Sequence, residues 1–319
     1  MSKTIAMTGA TGFAGRHTVA ELLKRGHRVV ALVREPARAK LPADVKIIAG
    51  DLSATAALEE LMAGADSVVH LAGAISGLGR DDFFRVNATG TEAVARAASA
   101  SGITRFVHIS SLAAREPQLS HYGASKRAGE DIVQRHVAAG KLLIIRPPAV
   151  YGPGDKATLP LLKALTGSTA IIPGHRASRF SLVHVEDLAR LIANAAESGT
   201  SGTVEVSDGK AGGYCWGDLA DIASRSEGHP VRVVFVPRAL PGAVAPFVEA
   251  VARLTGKPGM VSRGKVAELY HHDWVARGEG LPLAKPIGFE RGFAETLQWY
   301  RKAGWLPAPR RADRSSSTQ

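Results

Sequence analysis

The chain has little of what builds disulfide frameworks, thiolate metal sites or aromatic reading surfaces. Its 319 residues include one cysteine, Cys215, so neither an internal disulfide nor a cysteine-based metal site is available. A lone thiol fits a reducing compartment. Phe, Trp and Tyr make up 6% of the residues. Without an RNP-like or zinc-finger pattern, that leaves no surface for stacking bases, and no nucleic-acid partner is expected. No apolar run reaches the roughly 18 residues that a membrane span requires. An apolar stretch begins within the first four residues, which leaves no room for a signal peptide, so the expected location is cytoplasmic. No period of about 20–50 residues recurs, which excludes a solenoid.

Negative charge is also scarce. Lys and Arg number 40 against 29 Asp and Glu, a formal net charge of +11. The cations are scattered; the nearest thing to a block is Arg310-Arg311-Ala312-Asp313-Arg314. It lies in a tail, 307–319, that lacks apolar periodicity and reads as disordered. A basic surface suits anionic ligands and leaves room for peripheral association with a membrane surface. Monomer and homodimer both stay open.

What is present alternates strand and helix. Apolar runs at Thr4–Met7, Arg28–Val33, Val45–Ala49, Ser67–Leu71, Arg105–Ile109 and Leu142–Arg146 read as buried strands. Helical patterns near Arg16–Arg25, Leu58–Ala63, Asp82–Ser101 and Ala124–Ala139 separate them. That alternation predicts βαβ units and a Rossmann-type, doubly wound parallel sheet over residues 1–150. From Tyr151-Gly152-Pro153-Gly154-Asp155 onward the chain is turn-rich. Residues 151–306 are expected to form a smaller α/β substrate lobe interleaved with the core. Phe180–Val183 and Val231–Val236 are strand-like there, and Glu186–Ala196 is helical. Ala239–Leu254 is apolar but interrupted by Pro241, Gly242 and Pro246, and fits either a lid or core.

The most telling residues are Thr8-Gly9-Ala10-Thr11-Gly12-Phe13-Ala14-Gly15, between the first strand and the first helix. Glycines at such a junction let the backbone approach a pyrophosphate, while the helix N-terminus offers free N–H groups and partial positive charge. The spacing is G-x-x-G-x-x-G rather than G-x-G-x-x-G. A second motif is Tyr122-Gly123-Ala124-Ser125-Lys126, whose Tyr122 and Lys126 share one helix face. A neighbouring ammonium favours phenolate, so Lys126 is expected to lower the Tyr122 pKa toward neutrality and fit it for proton exchange. Ser110 and Ser111 end the strand Arg105–Ile109, where ligands of open parallel sheets bind. His271-His272-Asp273 offers two histidines that diverge on a helix, with no third ligand at suitable spacing, so no metal is expected.

Together these motifs give the chain a specific likeness. It resembles an extended or atypical short-chain dehydrogenase/reductase of the NAD-dependent epimerase/dehydratase group. Further segments carry the resemblance: Gly50-Asp51-Leu52, His70-Leu71-Ala72-Gly73, Val86-Asn87-Ala88-Thr89-Gly90-Thr91, Arg146-Pro147-Pro148-Ala149-Val150-Tyr151-Gly152 and Val183-His184-Val185-Glu186-Asp187-Leu188. The resemblance implies a catalytic set of Ser111, Tyr122 and Lys126. It implies a cofactor site at Gly9, Thr11, Gly12, Phe13, Ala14 and Gly15. Asp51 and Leu52 would line the adenine, and Leu71, Ala72 and Gly73 the ribose. Asn87 would stand near the active site, with Pro147, Ala149 and Val150 along the nicotinamide. Lys126 would also hold a ribose.

Cofactor choice turns on the end of the second strand, where an acid selects NAD and an arginine accommodates the 2′-phosphate of NADP. Arg34 stands there, with Arg38 and Lys40 following. NADP(H) is therefore expected, with NAD(H) as the alternative. Ser111 and Tyr122 are eleven residues apart, a shorter gap than sugar-nucleotide epimerases usually have. In this the chain looks more like the subgroup near the complex I 39-kDa subunit and the 3β-hydroxysteroid dehydrogenase-like proteins. The resulting expectation is reduction of a ketone, or oxidation of the matching alcohol, on a bulky lipid-like substrate of sterol, terpenoid or 3-oxo-sphingolipid type. A sugar-nucleotide epimerase or dehydratase and a non-catalytic NADPH-binding subunit are the alternatives.

Overall fold

Runs of Val, Ile and Leu bounded by glycine and polar turns become the strands of a central sheet in a computed structural model that describes residues 2–256, 262–278 and 280–307. The first half supplies β1 (Thr4–Thr8), β2 (Arg28–Val33), β3 (Lys46–Ala49), β4 (Ser67–His70), β5 (Arg105–Ile109) and β6 (Leu142–Arg146). Its helices are α1 (Phe13–Lys24), α2 (Thr55–Met62), α3 (Arg80–Phe84), α4 (Thr91–Ala100) and α5 (His121–His136). The second half continues with β7 (Ala149–Tyr151), α6 (Leu159–Ala164), β8 (Thr169–Pro173), β9 (Arg179–Phe180), β10 (Leu182–His184), α7 (Val185–Glu197), β11 (Gly202–Glu205) and α8 (Trp216–Glu227). Then come β12 (Arg232–Val236), α9 (Ala239–Thr255), α10 (Arg263–Leu269), β13 (Asp273–Trp274) and α11 (Phe289–Lys302).

The seven-stranded sheet runs β11-β6-β5-β4-β1-β2-β3, all parallel. Side chains alternate across it, as the two-residue period of a strand requires. Ile5 and Met7 join Val19 and Leu22 of α1 and Leu188 and Ile192 of α7 on one face. Ala6 joins Leu58, Val94, Phe106 and Val133 on the other. Both faces are covered, so the strands read as continuous apolar runs. A separate cluster of Tyr151, Trp216, Phe289, Phe293 and Tyr300 packs the second half, which returns β11 to the sheet edge and α7 to its face. The chain order reverses between β1 and β4, so the ligand crevice of a doubly wound sheet lies at their carboxyl ends.

Three elements differ from expectation. Helix α5 begins at His121 because Ser120 caps it, its hydroxyl accepting from the Gly123 amide at 2.8 Å; Tyr122 therefore sits in the first turn. The segment expected as one helix over Asp82–Ser101 is split by a π-turn at Arg85–Gly90, which contains Asn87. Pro241 and Gly242 do not interrupt α9, since Pro241 falls in the first turn where no N–H is needed. Pro246 lies inside the same continuous helix. Among the described residues no helix is long and apolar enough to cross a membrane. The tail from residue 308 onward lies outside the described residues.

Candidate active site

The glycine turn is built for close approach. Gly9 has φ +76°, and a Cβ there would stand 2.6 Å from the Ala72 amide nitrogen, so β1 and β4 meet at this point only through glycine. A Cβ on Gly15 would come within 2.0 Å of the Gly9 carbonyl oxygen. Gly12 caps α1 with its amide on the Gly9 carbonyl at 3.0 Å. Thr11 and Gly12 are exposed, Phe13 and Ala14 half-buried. The unpaired N–H groups of the first turn of α1 thus open onto the crevice, the donor set a pyrophosphate needs.

Across the crevice, the Leu71–Ala74 strand end is clamped from two sides. The Ala72 amide donates to Thr8 Oγ1 at 3.2 Å. Asn87 pairs with Ala74 in both directions, accepting from its amide at 2.7 Å and donating to its carbonyl at 3.0 Å, and also donates to Ser125 Oγ at 2.9 Å. A Cβ on Gly73 would stand 3.1 Å from Asn87 Oδ1 and 3.7 Å from Lys126 Nζ. The π-turn delivers Asn87 here, in keeping with the tendency of such turns to occur at functional positions. Leu52 rests against Gly90 of the same turn.

Ser111, Tyr122 and Lys126 come together at the end of β5. The Ser111 hydroxyl accepts from the Ala113 amide at 3.2 Å and is close enough to the Tyr122 phenol to offset part of the rise in its pKa. Gly123 permits the approach, since a Cβ there would lie 2.7 Å from the Ala113 carbonyl. The two serines part company: Ser110 is buried and donates to Glu130, which is itself held by Arg146 at 2.6 and 2.9 Å. Ser110 thus belongs to a buried ion pair, and Ser111 is the hydroxyl that meets the tyrosine. Pro147, Ala149 and Val150 follow β6, with the Pro147 carbonyl accepting from the Leu112 amide at 2.9 Å.

The electrostatics correct one expectation. Lys126 does not draw the phenol toward neutrality: its Nζ donates to the Ile109 carbonyl at 2.7 Å, and burial pushes Tyr122 up to about 12. Burial likewise pulls Lys126 down to about 8. Charge spacing is visible in a sequence and desolvation is not, and here desolvation wins. A phenol protonated throughout the neutral range is a proton donor, the role that carbonyl reduction needs. Behind the site, burial holds His70 neutral, down at about 3, with its ring bridging Thr8 at 2.6 Å and Thr91 at 3.0 Å.

At the adenosine end, Arg34 is exposed just past β2. Arg38, also exposed, is paired with Glu35 at 2.8 Å. The Ser53 hydroxyl and amide hold the Asp51 carboxyl below its usual range, with Arg34 adding to the effect. Sequence reasoning missed the second-half contribution: Glu268 of α10 accepts from Ser120, the α5 cap. It also missed Phe83, whose ring stands edge-on to Tyr122 at 6.3 Å. Neither carries a local signal, since Ser120 and Glu268 are 148 residues apart. His271 packs tilted against Trp274 and His272 meets His175 edge to face; among the described residues no three metal-ligating side chains gather.

Residues 5–206 match the NAD dependent epimerase/dehydratase family. The chain is 41% identical over 311 residues to a ceramide reductase of Caulobacter vibrioides, covering 95% of this chain and 96% of that one. It is 27% identical over 212 residues to a 3 beta-hydroxysteroid dehydrogenase/Delta 5-->4-isomerase of Mycobacterium tuberculosis, covering 58% of this chain and 57% of the relative. Among solved structures, WbmG of Bordetella bronchiseptica, in complex with NAD, superposes with a TM-score of 0.67 at 22% identity, covering 96% of each chain. This chain belongs to the NAD dependent epimerase/dehydratase family and is an NAD(P)-dependent oxidoreductase of the extended short-chain dehydrogenase/reductase type.

Proposed function

We propose that the protein is an NADP(H)-dependent ketoreductase acting on a bulky lipid-like substrate, with a long-chain sphingoid or ceramide-type ketone favoured over a sterol or terpenoid. The observation that carries the reaction is geometric: Tyr122 and Lys126 share one face of α5, and Lys126 reaches the Ile109 carbonyl at the end of β5 where Ser111 stands. The cradle fits a dinucleotide because Gly9 and Gly15 let the turn pack tightly against the Leu71–Ala72 backbone and on itself, leaving Thr11 and Gly12 exposed at the N-terminus of α1. Gly9 to Gly15 would hold the pyrophosphate, Lys126 and the Ala72–Gly73 backbone the nicotinamide ribose, and Pro147 to Val150 the nicotinamide. When bound, the nicotinamide supplies or accepts the hydride. Ser111 orients the substrate oxygen, and Tyr122 gives it the proton. Arg34, exposed and with Arg38 nearby, supports a 2′-phosphate on the adenosine ribose.

Full-length similarity to a ceramide reductase supports the lipid class. The test is a panel of lipid ketones and UDP-sugars, run separately with NADPH and NADH. Net NADPH oxidation on a lipid ketone is expected. Turnover of UDP-sugars with no activity on any ketone would overturn the reading. Tyr122→Phe that kept full activity would remove Tyr122 from the reaction, and cofactor binding with no turnover of any ketone or UDP-sugar would return the chain to a non-catalytic cofactor-binding role.

A further inference from the structure

Helix α9 is inside out. A helix at a protein surface normally turns its large apolar side chains inward and its small or polar ones outward. Here Ala245 and Ala252 are the buried positions, Ala245 packing on Val266 and Tyr270 of α10 and its flank. Leu240, Val244, Phe247, Val251 and Leu254 are the exposed ones, with Phe247 73% and Leu254 88% accessible. They account for half of the exposed large apolar side chains among the described residues. Their spacing of four, three, four and three places all five on one stripe. An outward apolar stripe of this length marks a surface that meets something apolar.

Charge says what that is. Residues 237–268 hold five cations, Arg238, Arg253, Lys257, Arg263 and Lys265, against two carboxylates, Glu249 and Glu268, which pair with Arg263 at 3.7 Å and Lys265 at 3.5 Å and leave the segment net positive. Pairing α9 with a second copy of itself would bring two such cationic segments together. An anionic bilayer instead neutralises them while accepting the stripe, the pattern of an interfacial amphipathic helix. We propose that α9 is such a helix and seats the protein on anionic phospholipid, with the five-residue stripe at the acyl boundary. The surface is coupled to the site. Glu249 accepts from the Arg263 amide at 2.7 Å, fixing α9 to α10. Gly264 of α10 packs so closely on Ser120 that a Cβ would lie 2.9 Å from the Ser120 Cβ. Seating α9 therefore places the first turn of α5, with Tyr122, near the membrane.

The test is co-sedimentation of the full chain with vesicles of phosphatidylcholine alone and of phosphatidylcholine with about one third phosphatidylglycerol. No substrate is present, so the result does not depend on the ketoreductase reading. The chain is expected to pellet with the anionic vesicles, at least about tenfold more weakly with the neutral ones, and less as salt screens the cations. Phe247→Glu with Leu254→Glu should cost at least about tenfold in vesicle affinity while keeping the wild-type circular dichroism and thermal midpoint. Should that pair unfold the chain, Phe247→Ser alone is expected to weaken binding about threefold. Failure of the wild type to pellet, or wild-type pelleting by a folded variant, overturns the proposal. So does a dimer that the variant dissolves in the absence of vesicle binding, which would assign the stripe to a second copy.

Discussion

The carboxyl edge of the central sheet and the outer helix of the C-terminal lobe depart from ordinary burial in opposite directions. At the sheet edge, polar groups are taken out of water: His70, Lys126 and Glu130 are all buried. On α9, apolar groups are left in it. Desolvation at the first site keeps Tyr122 protonated and pulls Lys126 toward neutrality, and such perturbed groups cluster at functional sites. Exposure at the second offers an apolar surface with no partner inside the fold. The sheet edge should therefore be intolerant of small changes, and the α9 stripe nearly indifferent to them in stability and in chemistry on a soluble substrate.

The largest contrast is expected at Tyr122. Tyr122→Phe removes the proton donor and should lower ketone turnover about a thousandfold, with cofactor affinity measured by fluorescence titration unchanged. Next comes Gly15→Ala, whose Cβ has nowhere to go against the Gly9 carbonyl. It should cost about 3 kcal/mol in denaturant unfolding and weaken cofactor binding, whereas Leu254→Ser on the stripe should leave stability within about 0.5 kcal/mol. Arg34→Glu should reduce kcat/KM with NADPH about tenfold and raise it with NADH; equal values with both cofactors would remove Arg34 from the site.

The smallest effect concerns Lys126. Its folded pKa, about 8, is depressed below the ordinary 10.5. The unfolded chain thus binds more protons between those values, and stability falls as pH drops through the window. At neutral pH the buried ammonium is a net cost, partly offset by its bond to the Ile109 carbonyl. Lys126→Met should raise the melting temperature at pH 7 by about 2 °C, a gain that should vanish near pH 10.5. A fall in melting temperature would show that the hydrogen bond outweighs the desolvation.

The parallel core was legible because its strands are buried on both faces and stand out as apolar runs; β2, β5 and β6 begin and end where their runs do. The run Phe180–Val183 showed as one strand and is two, β9 and β10, parted at Ser181; the short strands β7 and β13 were not legible, since two or three residues carry no period and their partners are remote in sequence. In the site, Gly9, Gly12, Gly15 and the Tyr122–Lys126 pair show themselves by local spacing. The direction of the Tyr122 shift does not, because it depends on how deeply the fold buries the ring. The hold of Glu268 on Ser120 joins residues that only the folded chain brings together.

The most direct measurement follows NADPH oxidation and product together for a long-chain sphingoid or ceramide-type ketone and, in parallel, for a UDP-sugar. One NADPH is expected to be oxidised for each lipid ketone reduced, a turnover lost in Tyr122→Phe, with no turnover of the sugar nucleotide. Epimerised UDP-sugar with no net change in the nicotinamide, and an untouched lipid ketone, would contradict that expectation.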